Sequence, residues 1–335
     1  MRDVAERAGV SFKTVSRVVN GEAGVSERVT ERVEDAIVAL GYRRDERARR
    51  LRQDGERTGT IAFALVDVSN PFFSAVLRGI EEVARRHDYL VLSGSTDGVL
   101  ARERQLVDAF VTRRVDGLII VPSGPIDGTL HSELERGTPI VFVDLEPIDV
   151  QGDLVRSDHL GSAAKATEHL IAHGHARIAF FGDRADISSS RLRLEGYKRA
   201  MTSAGLDVEE RHVVQGRHRS EQWRTIISEH LTATDPPTAM FTAQNFVTIG
   251  ATQALHDLGL HNDIALVGFD EIELSDIVRP GVTVIPQYPL DLGRRAAEIL
   301  FARVAGRRGP TSTMILSSAV VVRGSGEIRP SASSR

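Results

Sequence analysis

The sequence predicts a small all-α unit of three helices, followed by an α/β region built as two doubly wound parallel-sheet lobes. Three observations lead there. Residues 3–41 carry short apolar repeats at helical spacing, each closed by a glycine or Asn-Gly. From Thr58 onward, near-continuously apolar runs alternate with amphipathic helical stretches. The 335 residues also exceed one ordinary domain.

The first helix is expected over residues 3–8 and stops at Gly9. Ser11 caps a second helix, Phe12 to Val19, which ends at the turn signal Asn20-Gly21. Its Val15, Val18 and Val19 fall at i, i+3 and i+4 and form an apolar face, leaving Phe12, Lys13, Ser16 and Arg17 opposite. A third helix follows the cap Ser26. Val29, Val33, Ala36, Ile37 and Leu40 repeat along it, and Gly41 closes it.

A short helix fixed by valines across a tight turn thus exposes an aromatic ring, an ammonium, a hydroxyl and a guanidinium. Such groups suit the DNA major groove, where Arg or Lys donates to guanine O6 and N7 and an aromatic edge meets a thymine methyl. Ser11, Thr14 and Asn20 are placed to bond phosphates. Periodicity alone leaves open a plain helical subdomain with a polar outer face.

Charge and composition narrow the classes. Net charge is −4, yet residues 1–57 carry 13 basic against 11 acidic groups, with six arginines between 43 and 52. Arginine supplies all but three of the chain's 42 cations, so that run also fits a solvated helix end. No apolar run reaches the roughly 18 residues of a membrane span, and the N-terminus lacks the apolar core of a signal peptide. Zero cysteines exclude disulfides, thiolate catalysis and cysteine-ligated zinc. The cytoplasm is the expected compartment by default.

Strands are expected at 60–66, 89–94, 116–122, 139–144, 177–183, 238–243 and 264–270. Helices are expected near 72–87, 101–114, 160–173, 190–204, 220–232, 245–258 and 289–305. There are too many units for one sheet of typical size. Two lobes place a ligand crevice between the carboxyl ends of their strands.

The segment DVAERAGVSFKTVSRVVNGEAGVSERVTERVEDAIVALGYRRDERARRLR, and above all its AGVS-x-x-TVSRVVN block, resembles the helix-turn-helix headpiece of the LacI/GalR family. The resemblance continues through SNPFF (69–73), RRVDGLIIVPS (113–123), ATEHLIAHGHARIAFFG (166–182), SSRLRLEGYKRAM (189–201) and DIALVGFDEIELSD (263–276). It implies a homodimeric, sequence-specific transcriptional regulator, expected to be a repressor, with a small polar effector such as a sugar. The effector domain is implied to be periplasmic-binding-protein-like, with three crossings between lobes. The expected organisation is a headpiece over 1–44, a hinge helix and linker over 45–57 and an effector and dimerisation domain over 58–335. Lobe one takes about 58–158 plus 287–317, and lobe two about 159–286 plus 318–330.

Carried over position by position, the resemblance makes Phe12, Lys13 and Arg17 base readers. It places Ala48 and Leu51 of the hinge in the minor groove, the leucine as a wedge between base steps. About seven residues are too few for a stable isolated helix, so the hinge is expected to order on DNA. Arg193 and Asp270 match polar effector contacts, and Asp144 matches a strand-end carboxylate near the cleft. Phe72 and Phe73 follow the first strand, Asp97 follows the second, and Trp223 is the only tryptophan.

Each of these effector candidates also has a structural role open to it: core packing for the aromatics, loop capping for the aspartates, a surface cation for Arg193. Two departures stand out. Met1 abuts Arg2-Asp3 where the family has a capping Thr or Ser, so either the start lies upstream or helix 1 is less well capped, at about 1 kcal/mol. Gln244-Asn245 replaces an Asn-Asp pair, which removes a carboxylate and leaves the ligand class open.

No P-loop, GxGxxG after a strand, GxSxG or HExxH is present, and His173-Gly174-His175 is taken as a structural turn, so neither an enzyme nor a metal or cofactor site is expected. A free-standing periplasmic solute receptor is the rival with the same fold; the headpiece and the lack of a leader argue against it. A nucleic-acid-associated enzyme is the third possibility, which only an activity screen would revive.

Overall fold

The computed structural model describes the chain apart from residues 20–21, 43–56, 127, 217–218 and 332–335. The expectations for Asn20, Ala48, Leu51 and the hinge helix therefore lie outside the described residues. The chain forms two compact units, Met1–Gly59 and Thr60–Arg335.

In the first unit, α1 (Arg2–Ala8), α2 (Phe12–Val19) and α3 (Glu27–Ala39) enclose a core of Val4, Ala5, Ala8, Val15, Val33 and Ala36. Gly9 ends α1 in the left-handed conformation, φ 61°, which glycine adopts without a Cβ penalty. The freed carbonyl of Ala8 accepts from Arg32 Nη2 of α3 at 2.6 Å and from Nε at 3.2 Å, which fastens the third helix to the end of the first. Ser11 Oγ accepts from the Thr14 amide at 3.1 Å, the N-cap bond expected of it. Ser26 holds the cap position of α3 but makes no side-chain cap bond, and Leu40 falls past the helix end, largely exposed.

The second unit holds two parallel sheets. The first, in order β11-β5-β4-β3-β1-β2, contains β1 (Thr60–Leu65), β2 (Leu90–Ser95), β3 (Leu118–Ile120), β4 (Ile140–Val143), β5 (Asp153–Ser157) and β11 (Thr313–Leu316). The second, in order β10-β9-β8-β6-β7, contains β6 (Ile178–Gly182), β7 (Val213–Gln215), β8 (Ala239–Thr242), β9 (Ala265–Phe269) and β10 (Thr283–Ile285). Both faces of each sheet are covered, so residues alternate between two cores. Ile61, Phe63 and Leu65 face α4 (Pro71–Arg86) and α11 (Pro289–Val304), while Ala62 and Ala64 face α5 (Leu100–Thr112) and α6 (Gly128–Glu135).

In the second sheet, α7 (His159–Ala172) and α8 (Ser188–Ser203) cover one face, and α9 (Ser220–Leu231) and α10 (Asn245–Asp257) cover the other. Helices α4 and α11 cross at Gly79 and Gly293. A Cβ on Gly79 would collide with the Leu290 carbonyl, and one on Gly293 with the Val76 carbonyl. The chain passes between the sheets after β5, after β10 and before β11's successor segment at 317–321, so the carboxyl ends of both sets of strands frame one crevice.

Candidate functional site

On α2 the valine face is inside, with Val15 fully buried, while Phe12 is 52% exposed and Lys13 and Arg17 are exposed. Ser16 is half-buried. Arg17 Nε lies 3.6 Å from Glu22, a half-exposed pair that is worth little and easily exchanged for another acceptor. Thr14 shares a 2.9 Å hydroxyl contact with Ser11 at the helix start. The unit therefore presents a rigid cationic and aromatic helix face with hydroxyls at its N-terminus.

The crevice of the second unit holds a cavity of about 660 Å³. Phe72, Phe73, Asp144, Arg193, Trp223, Gln244 and Asp270 all line it. Two of them occupy equivalent places in the two lobes. Asp144 follows β4 at φ 67° and its amide donates to Val155 O; Asp270 follows β9 at φ 73° and its amide donates to Ile285 O, each at 2.9 Å. Left-handed backbone at a strand end turns each carboxylate back over the sheet edge, and aspartate tolerates that conformation better than most side chains.

Between these acids lies Arg193, 5% exposed on α8. Its Nη1 donates to the Ala243 carbonyl at 2.7 Å, and its guanidinium stacks 4.0 Å over the Phe269 ring. Its Nη2 lies 3.2 Å from His159 Nδ1. A guanidinium only donates, so Nδ1 must accept and the proton sits on Nε2, which donates to the Asp144 carbonyl at 3.3 Å. Burial, followed by the Arg193 charge, drives the His159 pKa well below its ordinary value and keeps the ring neutral. Both of its nitrogens are committed, which leaves it no role as a general base.

Burial raises both acids. Asp144 moves up to about 6, with Arg193 opposing and Asp270 adding to the rise. Asp270 is raised by burial against the pull of Arg193, a bond from Gln287 Nε2 and one from the Asn245 backbone. Three buried polar atoms in the cavity wall have no hydrogen-bond partner among the described residues: Asp144 Oδ1, Arg193 Nε and Gln287 Oε1.

One expected residue does not belong. Asp97 turns the chain after β2 at φ 52° and its carboxylate pairs with Arg102; it is not among the cavity-lining residues. The pairing is local, to the first turn of α5, so the strand-end position does not bring it to the crevice. Trp223 lines the cavity and also packs edge-on against Phe181 in the lobe core, 1% exposed. Phe72 and Phe73 likewise serve both wall and core.

Sequence reasoning missed Asn70, Gln287 and His159. Asn70 carried a signal, since an asparagine before Pro71 is a helix cap, and its Oδ1 does accept from the Phe72 amide at 3.0 Å. The same oxygen accepts from Asn245 Nδ2 of the other lobe at 2.7 Å. Here the Gln244-Asn245 departure gains a purpose: an aspartate at 245 has no proton to give that oxygen.

Comparison with known proteins agrees with this geometry. Residues 1–45 match the bacterial regulatory proteins of the lacI family, and residues 167–326 match the periplasmic binding protein-like domain. The ribose operon repressor of Escherichia coli (strain K12) is 33% identical over 328 residues, spanning 97% of this chain and 99% of that protein. The chain belongs to the lacI family of bacterial regulatory proteins. The HTH-type transcriptional repressor CytR of the same strain is 29% identical over 333 residues, 98% of this chain and 97% of its own. The solved lac repressor dimer bound to operator and the anti-inducer ONPF superposes with a TM-score of 0.82 at 27% identity, covering 97% of this chain and 98% of that one. In this lacI-family regulator, α2 falls within the residues that match the lacI family, and Arg193, Asp270 and Gln287 of the crevice fall within those that match the periplasmic binding protein-like domain. No helix among the described residues is long and apolar enough to cross a membrane.

Proposed function

We propose that this lacI-family regulator is a cytoplasmic, homodimeric repressor, not an enzyme, which binds a pseudo-palindromic operator and is controlled by a sugar or sugar derivative in the crevice. One observation carries the ligand: Asp144, Arg193 and Gln287 line one cavity, and each holds a buried polar atom (Asp144 Oδ1, 3.5 Å from His159 Nε2, Arg193 Nε and Gln287 Oε1) that makes no hydrogen bond among the described residues. Leaving a buried polar atom unpaired costs roughly 1–3 kcal/mol, so these three are worth keeping only for a partner that satisfies them. A polyhydroxylated ring does so, its hydroxyls donating to the carboxylate and amide oxygens and accepting from the guanidinium, its apolar face against Phe72 and Phe73. The relative named as a ribose operon repressor supports the sugar class.

Phe12, Lys13, Ser16 and Arg17 read base edges, while Ser11, Thr14 and Asn20 bond phosphates. Ala48 and Leu51 enter the minor groove. A single reading helix covers only a half-site, and specificity then requires two related by a dyad. The lac repressor, solved as a dimer on its operator, supports the same assembly here.

Thermal shift against a panel of pentoses and hexoses, beginning with D-ribose, tests the site in the wild type and in Asp270→Asn. Asparagine keeps the left-handed turn and removes the charge. One sugar at saturation raises the wild-type melting temperature by about 5 °C and leaves the variant unmoved. An equal shift in both proteins, or none with any sugar, contradicts the assignment.

A further inference from the structure

The end of lobe two remote from the crevice carries a second cluster. His169 and His173 lie four residues apart where α7 ends, on one face of the helix, and Glu327 reaches them from the 3-10 turn Gly324–Glu327. Donor atoms from all three residues lie within 4.8 Å of one another. His169 Nε2 is 3.1 Å from Glu327 Oε1, and His173 Nε2 is 3.3 Å from Oε2. Two donors on a tetrahedral ion with bonds of about 2.0–2.1 Å stand about 3.3 Å apart, and each imidazole nitrogen lies at about that distance from one oxygen of the shared carboxylate.

The tautomers agree with that geometry. His173 Nδ1 lies 2.8 Å from the His169 carbonyl, which only accepts, so the proton is on Nδ1 and the lone pair on Nε2, facing Glu327. A ring that donates its far N–H to a carbonyl is the usual supported metal ligand. His169 Nε2 is a buried atom set against the Glu327 carboxylate, and the ring also meets the Gly326 backbone.

Both supports are rigid. The 3-10 turn is tied down by Ser325 Oγ donating to Leu266 O at 2.7 Å, by the Gly326 amide donating to Thr283 Oγ1 at 3.0 Å, and by His175 Nε2 donating to Ile328 O at 2.8 Å. The expected structural turn is present, with His173 capping α7, Gly174 at φ 94° and His175 bonded to Ile328 O. Glu327 is half-exposed, so an ion and its completing water reach the cluster from solvent.

We infer that His169, His173 and Glu327 form a binding site for a divalent transition-metal ion, zinc foremost, which clamps the C-terminal segment to the end of α7. The opposite end of that helix, about 21 Å away at 1.5 Å per residue, opens with His159, which is buried behind Arg193 of the crevice wall. The ion therefore sits outside the sugar site and is independent of it.

The test uses untagged full-length protein stripped with EDTA and dialysed, titrated calorimetrically with zinc chloride. The wild type takes one zinc per chain at this cluster and melts higher with it. His173→Ala and Glu327→Gln each weaken that uptake by more than about 100-fold, beyond the 10–100-fold that loss of a supporting hydrogen bond gives. Circular dichroism of the stripped variants checks folding, and cobalt(II) supplies a second readout in the unmutated protein, with the intense visible bands of tetrahedral coordination. Failure of the wild type to bind zinc would leave an ion pair only and overturn the site. So would zinc binding that both variants retain, or cobalt spectra of an octahedral aqua ion.

Discussion

Asp144 is the residue on which acidity, burial and the proposed ligand recognition meet. Its folded pKa of about 6 stands above its ordinary value of 3.8. Between those values the folded protein holds a proton that the unfolded chain has released, so this group makes stability fall as pH rises from about 4 to about 6. Above that window its penalty is complete, of the order of 3 kcal/mol for a group so displaced. Asp144→Asn is then expected to raise the urea midpoint at pH 7 and to change it little near pH 3, below both values. The ionised form supplies the unpaired acceptor, so sugar affinity rises from pH 5 to 7 in the wild type and stays flat in the variant. A wild-type-to-variant stability gap that is the same at both pH values would remove the basis for this assignment.

At the scale of the element, α2 buries Val15, half-buries Val18 and Val19, and exposes Phe12, Lys13 and Arg17, the face proposed to read bases. Arg17→Ala is expected to weaken operator binding by about 1–3 kcal/mol and to relax base preference at one position of each half-site. Thr14→Ala is expected to weaken all sequences alike. Fluorescence anisotropy on operator fragments substituted one base pair at a time separates the two, and equal losses on operator and random DNA for Arg17→Ala would contradict the reading role.

The elements that were legible in the sequence are those whose apolar pattern is unbroken, such as β1, β4, β6 and β9, buried throughout or nearly so. The others were hidden for identifiable reasons. β5 is an interior strand, but it opens with Asp153, whose carboxylate is buried because Arg303 grips it bidentately at 2.8 and 3.1 Å and Ser312 caps it. β11 is an edge strand whose Thr313, Met314 and Ile315 face solvent. β7 and β10 are three residues each, too short to show a period, and α6 is a short helix without an apolar stripe of its own.

Site residues follow the same rule. Asp144 and Asp270 were legible because they end apolar runs and match a family position. Gln287, His159 and the Asn70–Asn245 pair were not, because a bond spanning 175 residues leaves no local pattern.

For the whole molecule, the two lobes meet through side chains as well as through the crossing segments. Asn245 donates to Asn70 across the crevice, and Lys165 Nζ donates to the Ser318 carbonyl at 3.0 Å beside a crossing segment, where the Ser318 hydroxyl in turn bonds Pro286 O. A ligand held by Asp144 of one lobe and by Arg193, Asp270 and Gln287 beside the other favours whichever lobe arrangement brings them together. It shifts DNA affinity only by as much as it prefers that arrangement over the alternative. The most direct measurement is the operator dissociation constant of the full chain with and without the sugar that raises its melting temperature, in the wild type and in Asp270→Asn. The account predicts at least about a tenfold change on adding sugar to the wild type, with unchanged sugar-free affinity and no response in the variant; a sugar that saturates the crevice and leaves wild-type operator affinity unaltered would contradict it.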